Sequence, residues 1–474
     1  MKQFISYSII ILFIFSSCSM PKQVTMPVVK HMPDSFPAIH DSSTTSISWR
    51  QFFMDRHLLA LIDTTLRNNP DMSIAIQRIN IASAQLRMRK GAMLPSLNGV
   101  VSAAADRYGD YTLNGVGNYD TNLSPNITDK QKIPVSPTMD YFIGFRSNWE
   151  IDMWGKLKDE KKAAVAQLLA TEKGRQYAIT SLVGAVASRY YHLLALDNEL
   201  SILDRNIALQ ESALEVVKVQ KEAGRATELA VHQFAAQLLN TRAIRFATLQ
   251  EITEEENTLN VLAGRYPQHI ERDSSIMHQP LPPVLKTGLP AALVTRRPDI
   301  QQAELELVAA KANISAARKA FLPSINLTPY VGLNAFKSAL LFNGSSIAYG
   351  ALAGITAPIF NQRKLQAGYA IASAQNIEAL YNYQKVLLNS FSEVVTNLNN
   401  IGNTSNSFRL KEQEVKELSE AVATANDLYL TGYASYLEVI TAQKGVLVAE
   451  LELTEGRQQL FQSLINLYRS LGGG

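Results

Sequence analysis

Gly224-Arg225-Ala226-Thr227-Glu228-Leu229-Ala230-Val231 returns later in the chain as Gly432-Tyr433-Ala434-Ser435-Tyr436-Leu437-Glu438-Val439, displaced by 208 positions (432 − 224). Outward from it, the segment from Asn69-Pro70-Asp71 to Met93-Leu94-Pro95-Ser96 returns as Arg297-Pro298-Asp299 to Phe321-Leu322-Pro323-Ser324, displaced by 228 (298 − 70). The displacement shrinks by 20 (228 − 208) between these markers, so the first copy carries a longer loop there. A duplication of this size predicts two structurally equivalent halves, and each local pattern has to be read as one member of a pair.

The halves are built on a seven-residue rhythm. From Val165 it runs through Glu172, Ile179, Val186, Leu193, Leu200, Ile207 and Leu214, with one polar member. The interleaved row Leu168, Arg175, Leu182, Arg189, Leu196, Leu203, Gln210 and Val217 is also mostly apolar. Displaced by 208, the first row becomes Ser373, Leu380, Leu387, Val394, Ile401, Phe408, Val415 and Val422, again with one polar member. A seven-residue period held this long predicts helices wound around one another, because a straight helix drifts off such a stripe. No proline lies between Pro137 and Pro267 or after Pro358. Helices are expected over 156–223 and 363–431, each about 100 Å long at ~1.5 Å per residue.

Two segments in each half change rhythm. Ile325, Leu327, Val331 and Leu333 alternate with Asn326, Thr328, Tyr330 and Gly332, and 347–359 reads as a second strand. The first half offers 97–106 and 141–151 in the same places, with Tyr141, Ile143, Phe145, Ser147 and Trp149 set against Gly144, Arg146, Asn148 and Glu150. Strands of about ten residues with one apolar and one wet face fit the wall of an outer-membrane barrel. A soluble antiparallel sheet with one face on a core is the alternative for the strands taken alone. Four strands leave two open edges, so in a bilayer they must pair with strands of other copies. An oligomer is expected.

At the amino terminus, Lys2 precedes an apolar run from Ile9 to Phe15 and then Ser16-Ser17-Cys18, the layout of a secretory signal too short to span a membrane. Cys18 is the only cysteine, so it forms no internal disulfide, and its position resembles the lipidated cysteine of bacterial lipoproteins. An ordinary signal cleaved near Ser17 with an incidental cysteine is the competing reading. Ser19, where an aspartate is absent, resembles lipoproteins sent on to the outer membrane. The stretch 21–48, rich in Pro, Ser, Thr and Met, reads as an extended tether before a fold that begins near Trp49.

The net charge is +3 (45 basic minus 42 acidic residues) without a basic block, which argues against nucleic acid as a partner. The seven histidines lack metal-ligand spacing, no glycine-rich phosphate loop is present, and no nucleophile sits beside a base. Met26, Met32 and Met54 are the residue type that binds soft metals, but methionine in a leader is more often incidental. Neither an enzyme nor a cofactor is expected.

The stretch Leu289-Pro290-Ala291-Ala292-Leu293-Val294-Thr295-Arg296-Arg297-Pro298-Asp299-Ile300, with Ala303-Glu304, Ala317 and Phe321-Leu322-Pro323-Ser324, resembles the signature of the outer-membrane efflux proteins, the TolC-like or NodT-type lipoproteins. Tyr429, Gly432, Tyr436-Leu437-Glu438-Val439 and Ala442-Gln443 resemble the family's carboxy-terminal helix entry, and Ala223 to Leu229 its first-half counterpart. The chain departs from the pattern at Ala230, where the family often has an acid and the second copy has Glu438.

The resemblance implies a mainly α protein with a membrane β-barrel. Three protomers would each give four strands to a twelve-stranded barrel, continued into the periplasm by long antiparallel coiled-coil helices forming an α-barrel. It implies a segment order of signal peptide 1–17, lipidated tether 18–48, first repeat 49–263, equatorial linker 264–288 and second repeat 289–474. Helices are expected near 71–92 and 228–263 in the first repeat and near 299–320 and 435–471 in the second, with strands at 325–334 and 347–359. The implied partners are two further copies, a periplasmic adaptor, an inner-membrane pump and outer-membrane lipid.

The turns at Gly224 and Gly432 would form the periplasmic tip, with Arg225, Thr227, Leu229, Ser435, Tyr436 and Leu437 as adaptor-docking candidates and Asp427, Arg225 and Tyr429 as gate candidates. For all of them, a purely structural role at a helix end is the plainer reading. Asn389, Asn397, Asn400, Asn403 and Asn406 line either a wet lumen or a solvated outer face. The implied function is that of a passive exit duct of a tripartite pump. A type I protein secretion outlet uses the same duct and is separable only by the neighbouring genes. A periplasm-spanning scaffold without a pore has no need of duplicated membrane-length strands.

Overall fold

A computed structural model describes residues 21, 25–28, 33–35, 47–272, 275–283, 296–358, 361 and 363–473. The secretory segment 1–17, Cys18, most of the tether, and Leu289 to Thr295 of the signature stretch lie outside the described residues. In chain order the elements are α1 (Trp49–Phe52), α2 (Arg56–Asn68), α3 (Pro70–Gly91), β1 (Ser96–Asp106), α4 (Leu113–Thr121), β2 (Thr138–Ile151), α5 (Lys156–Glu222), α6 (Glu228–Leu262), α7 (Pro298–Lys319), β3 (Ser324–Ala335), β4 (Ile347–Thr356), α8 (Lys364–Thr431) and α9 (Tyr436–Ser470). The duplication is kept in the element boundaries. Helices α3 and α7 share both ends at a displacement of 228 (298 − 70 and 319 − 91), and α6 and α9 share both at 208 (436 − 228 and 470 − 262).

The chain forms two compact units. Ile81–Leu168 and Glu306–Ala379 lie in the first; Val28–Asn80, Leu169–Leu305 and Leu380–Gly474 lie in the second. Each unit takes segments from both repeats.

The first unit carries a four-stranded antiparallel sheet in the order β1-β2-β3-β4, which leaves β1 and β4 as edges within the chain. Its register sorts the side chains by face. Val101 lies opposite Ile143, Ile143 opposite Leu333, and Leu333 opposite Ile347, so one apolar row crosses all four strands. On the other face Asn98, Arg146 and Tyr330 stand opposite one another in turn, ending at Gly350. The face that carries this row is not covered by a core: Val101, Phe145, Val331, Tyr349 and Ile355 are exposed on it. Phe142 is an apolar member of the wet face, buried beneath the Arg146 guanidinium, which stands 4.7 Å from its ring centroid. At the base of the sheet the Trp149 indole donates to the Met93 carbonyl (3.0 Å) and the Trp154 indole to the Pro323 carbonyl (2.7 Å), tying the strands to the helix ends.

The second unit holds the main core. The Phe52 ring stacks on Tyr468 (centroids 4.5 Å apart) and Tyr191 on Phe461 (4.0 Å), while the buried Tyr190 hydroxyl donates to Asp55 (2.8 Å). Arg272, in the segment after α6, donates to both oxygens of Asp197 (2.5 and 3.0 Å) and to Glu256, fixing that segment onto α5 and α6. A long-range contact recurs in the two copies of the repeat. Asn69, just before α3, donates to the Leu262 carbonyl at the end of α6 (2.8 Å). Its counterpart Arg297, just before α7, donates to the Ser470 carbonyl at the end of α9 (2.9 Å) and also binds Asp299 and Glu393. The signature dipeptide Arg297-Pro298 is thus a structural lock.

The seam expected from Val165 is present from Ile179 onward, with Val186, Leu193 and Leu214 buried. Val165 itself is exposed, and Ala163, Ala166 and Ala170 carry the burial there. Their spacing of three and then four residues keeps the seven-residue period (170 − 163) but moves the seam two positions from Val165 onto small side chains, which allow a neighbouring helix to pack closely.

Candidate functional site at the helical tips

Both long helices end in the same kind of turn. Gly224 has φ +72° and Gly432 φ +81°, the left-handed region that costs a side-chain-bearing residue about 1 kcal/mol or more. The amide of Arg225 returns to the Gln220 carbonyl (2.8 Å) and that of Tyr433 to the Leu428 carbonyl (2.8 Å), satisfying carbonyls the helix ends would leave bare. The next helix is then capped: the Thr227 hydroxyl accepts from the Ala230 amide (3.2 Å), and the Ser435 hydroxyl from the Leu437 amide (3.3 Å).

The two tips differ beyond the turn. Glu438 completes a capping box by accepting from the Ser435 amide (2.8 Å) and hydroxyl, and the bond from that hydroxyl holds its carboxyl below the usual carboxylate range. Ala230 cannot do this, since its methyl side chain has no acceptor; it is fully buried in a cluster with Phe234, Leu238 and Val439. The first tip is instead closed by a Lys221–Glu228 ion pair. Leu229 and Leu437, equivalent at a displacement of 208 (437 − 229), are both exposed, a pair of apolar side chains at the end of the helices.

The gate candidates are not gathered into one cluster within the chain. The Tyr429 hydroxyl donates to the Gln220 Oε1, and burial raises its pKa. Arg225 and Asp427 are exposed, and neither side chain has an ion-pair partner among the described residues. Of the asparagine row, Asn400 donates to the Ser463 hydroxyl (2.7 Å), so it joins α8 to α9, while Asn389, Asn403 and Asn406 are exposed.

Gln210 and Gln443, which the sequence marks only as a member of a heptad row and as part of the helix-entry motif, were not among the expected site residues. Both are buried, and the amide atoms of Gln210 and the Oε1 of Gln443 have no hydrogen-bond partner among the described residues. They line a cavity of about 280 Å³ with Val217, Phe234, Val439 and Tyr429. An orphaned buried polar group costs about 1–3 kcal/mol, so this stretch of coil is packed below its full stability. The signal was available: between Leu196 and Val217, Gln210 is the polar residue on its heptad row. Among the described residues, no group of three His, Cys, Asp or Glu side chains is placed to hold a metal ion.

Comparison with known proteins gives this architecture a family. The family model for outer membrane efflux proteins matches residues 61–265 and 289–473. The chain belongs to that family. This efflux protein is 30% identical over 430 residues to the cation efflux system protein CusC of Escherichia coli, covering 90% of this chain and 88% of that one. It is 28% identical to the probable outer membrane lipoprotein SilC of Salmonella typhimurium, over 98% of both chains. Its fold matches a solved membrane protein from Pseudomonas aeruginosa with a TM-score of 0.85 at 26% identity, covering 96% of this chain and 98% of that one. The efflux protein is therefore an outer-membrane channel component.

Proposed function

We propose that this efflux protein is the passive exit duct of a tripartite pump, working as a homotrimer anchored by lipid on Cys18. The observation that carries the reading is the four-stranded sheet with an uncovered apolar face and two open edges. Unpaired backbone groups are costly in hydrocarbon, and three such sheets joined edge to edge remove every edge. The duct does no chemistry of its own, so the energy for export comes from an inner-membrane pump.

The tips dock a periplasmic adaptor. Leu229 and Leu437 offer it apolar contacts beside the turns of Gly224 and Gly432, with Arg225, Thr227, Ser435 and Tyr436 around them. Arg225 and Asp427, which have no ion-pair partner among the described residues, act as gate residues that pair between copies when the duct is shut, and Tyr429 braces the same turn through Gln220.

Single-channel conductance of the purified protein in planar bilayers tests this. Small steps are expected from the native chain, growing severalfold in Asp427→Ala and Arg225→Ala. A folded, membrane-inserted oligomer that passes no current in any of the three forms would sink the duct reading.

A further inference from the structure

A wall that merely faces water needs no aromatic rings, yet the wet face of the sheet carries two. By register, Asn98, Arg146, Tyr330 and Gly350 form one row across the four strands, and Phe142 stands opposite Ser102 and Asn334 two rows away. The row between them holds Val100, Gly144, Gly332 and Ala348. Glycine in a strand often marks the close approach of another group, and here the group is a ring. A methyl group added at Gly332 would stand 2.8 Å from the tip of the Phe142 ring, and one added at Gly350 2.8 Å from the edge of the Tyr330 ring. Both rings therefore lie down along the sheet. They meet edge to face, with centroids 6.2 Å apart and planes at 70°.

The Arg146 guanidinium that stands over Phe142 is exposed, and it has no carboxylate partner among the described residues. The acidic groups of β2 on the same face are engaged elsewhere. Asp140 accepts from the Asn334 Nδ2 (2.6 Å), and Glu150 pairs with Lys156 (2.6 Å). They lie six and four residues along the strand (146 − 140 and 150 − 146), about 20 and 13 Å away at ~3.3 Å per residue. Arg146 and the two rings line a cavity of about 490 Å³ with Thr328, Asn334 and Leu352. That volume lies within the roughly 300–1,000 Å³ of small-molecule sites. The Thr328 hydroxyl is spent on the Leu352 carbonyl (3.2 Å), so the free charge and the free donors of the cavity are those of the guanidinium.

We propose that Arg146, Phe142 and Tyr330 form a binding site for aromatic carboxylates on the wall of the duct. The guanidinium takes the carboxylate through paired N–H donors, and the two rings with Leu352 take the aromatic body. A neutral aromatic molecule forfeits the charge-assisted bonds, and an aromatic cation is repelled. The inference rests on the duct reading above, under which the wet face lines the lumen, and it names the class of cargo that this wall favours.

The test uses the purified full-length protein in a non-ionic detergent, with naphthoate as the probe and the neutral naphthalenemethanol beside it, both titrated by calorimetry. The native protein should bind naphthoate about tenfold more tightly than the alcohol, the worth of a charge-assisted hydrogen bond. Arg146→Gln should bring the two affinities together, and Arg146→Lys, which keeps the charge without the fork, should fall between. Naphthoate bound no better than the alcohol by the native protein overturns the site without recourse to any variant. So does naphthoate binding that Arg146→Gln leaves unchanged. The duct reading is separated by conductance in planar bilayers, where naphthoate should lower the current of the native chain and not that of Arg146→Gln. A conducting channel without charge-selective binding leaves the duct standing and sinks the site. Charge-selective binding in a protein that passes no current keeps the site and sinks the duct.

Discussion

At the scale of single residues, the second unit contains one carboxylate in an unusual setting. Glu199, on α5, is raised to about 7 by burial, with Glu251 and Glu455 adding repulsion. A carboxyl whose folded pKa lies above its unfolded value of about 4.5 holds its proton more tightly when folded. Its contribution to stability is therefore greatest at low pH and falls as pH rises from about 4.5 to about 7. Thermal unfolding in detergent should occur at higher temperature at pH 5.5 than at pH 7.5. Glu199→Gln should flatten that dependence and raise the melting point at pH 7.5, and a variant with an unchanged pH profile would show that other groups set it. The lock at Arg297 illustrates the converse case, a buried cation matched by Asp299, Glu393 and a helix-end carbonyl. The sequence marked Arg297 as part of a signature, but nothing in the linear pattern told that its partners lie at Glu393 and Ser470, because long-range pairing has no local period.

At the scale of elements, the strands and long helices were legible because each has a period that physical chemistry imposes. Alternation of Ile325, Leu327, Val331 and Leu333 with polar neighbours gave the faces of β3, and the heptad rows gave the coiled stretch of α5. What could not be read was where the seam shifts. Ala163, Ala166 and Ala170 carry the burial in place of Val165, and Phe142 is buried on the wet face beneath Arg146; both depend on which elements the fold brings alongside, which a one-dimensional pattern does not encode. The tip turns were legible through their glycines, whereas the difference between them was visible only as Ala230 against Glu438. The face assignment has a direct test. Ile143→Lys, in the middle of the apolar row, should cost about 2–4 kcal/mol of membrane stability. Asn98→Lys on the opposite face should be close to neutral. Equal amounts of both variants assembled in the outer membrane would contradict the assignment.

At the scale of the whole molecule, a duplicated chain need not use both copies of each contact in the same way. Asn69 reaches the end of α6, whereas its counterpart Arg297 reaches the end of α9 and Glu393 as well. The sheet shows the same division of labour, with β1 and β4 paired on one side only. A chain with open edges cannot reach a low free energy in hydrocarbon alone or in pairs, so under the three-copy reading assembly is all or nothing. The unpaired edges of β1 and β4 thereby carry a consequence for inheritance. A mutant subunit that folds but closes badly spoils every ring it enters, and with equal expression only about one ring in eight is wholly native. Alleles altered at these edges should therefore be dominant over the native copy in a merodiploid cell, whereas alleles that prevent folding altogether should be recessive.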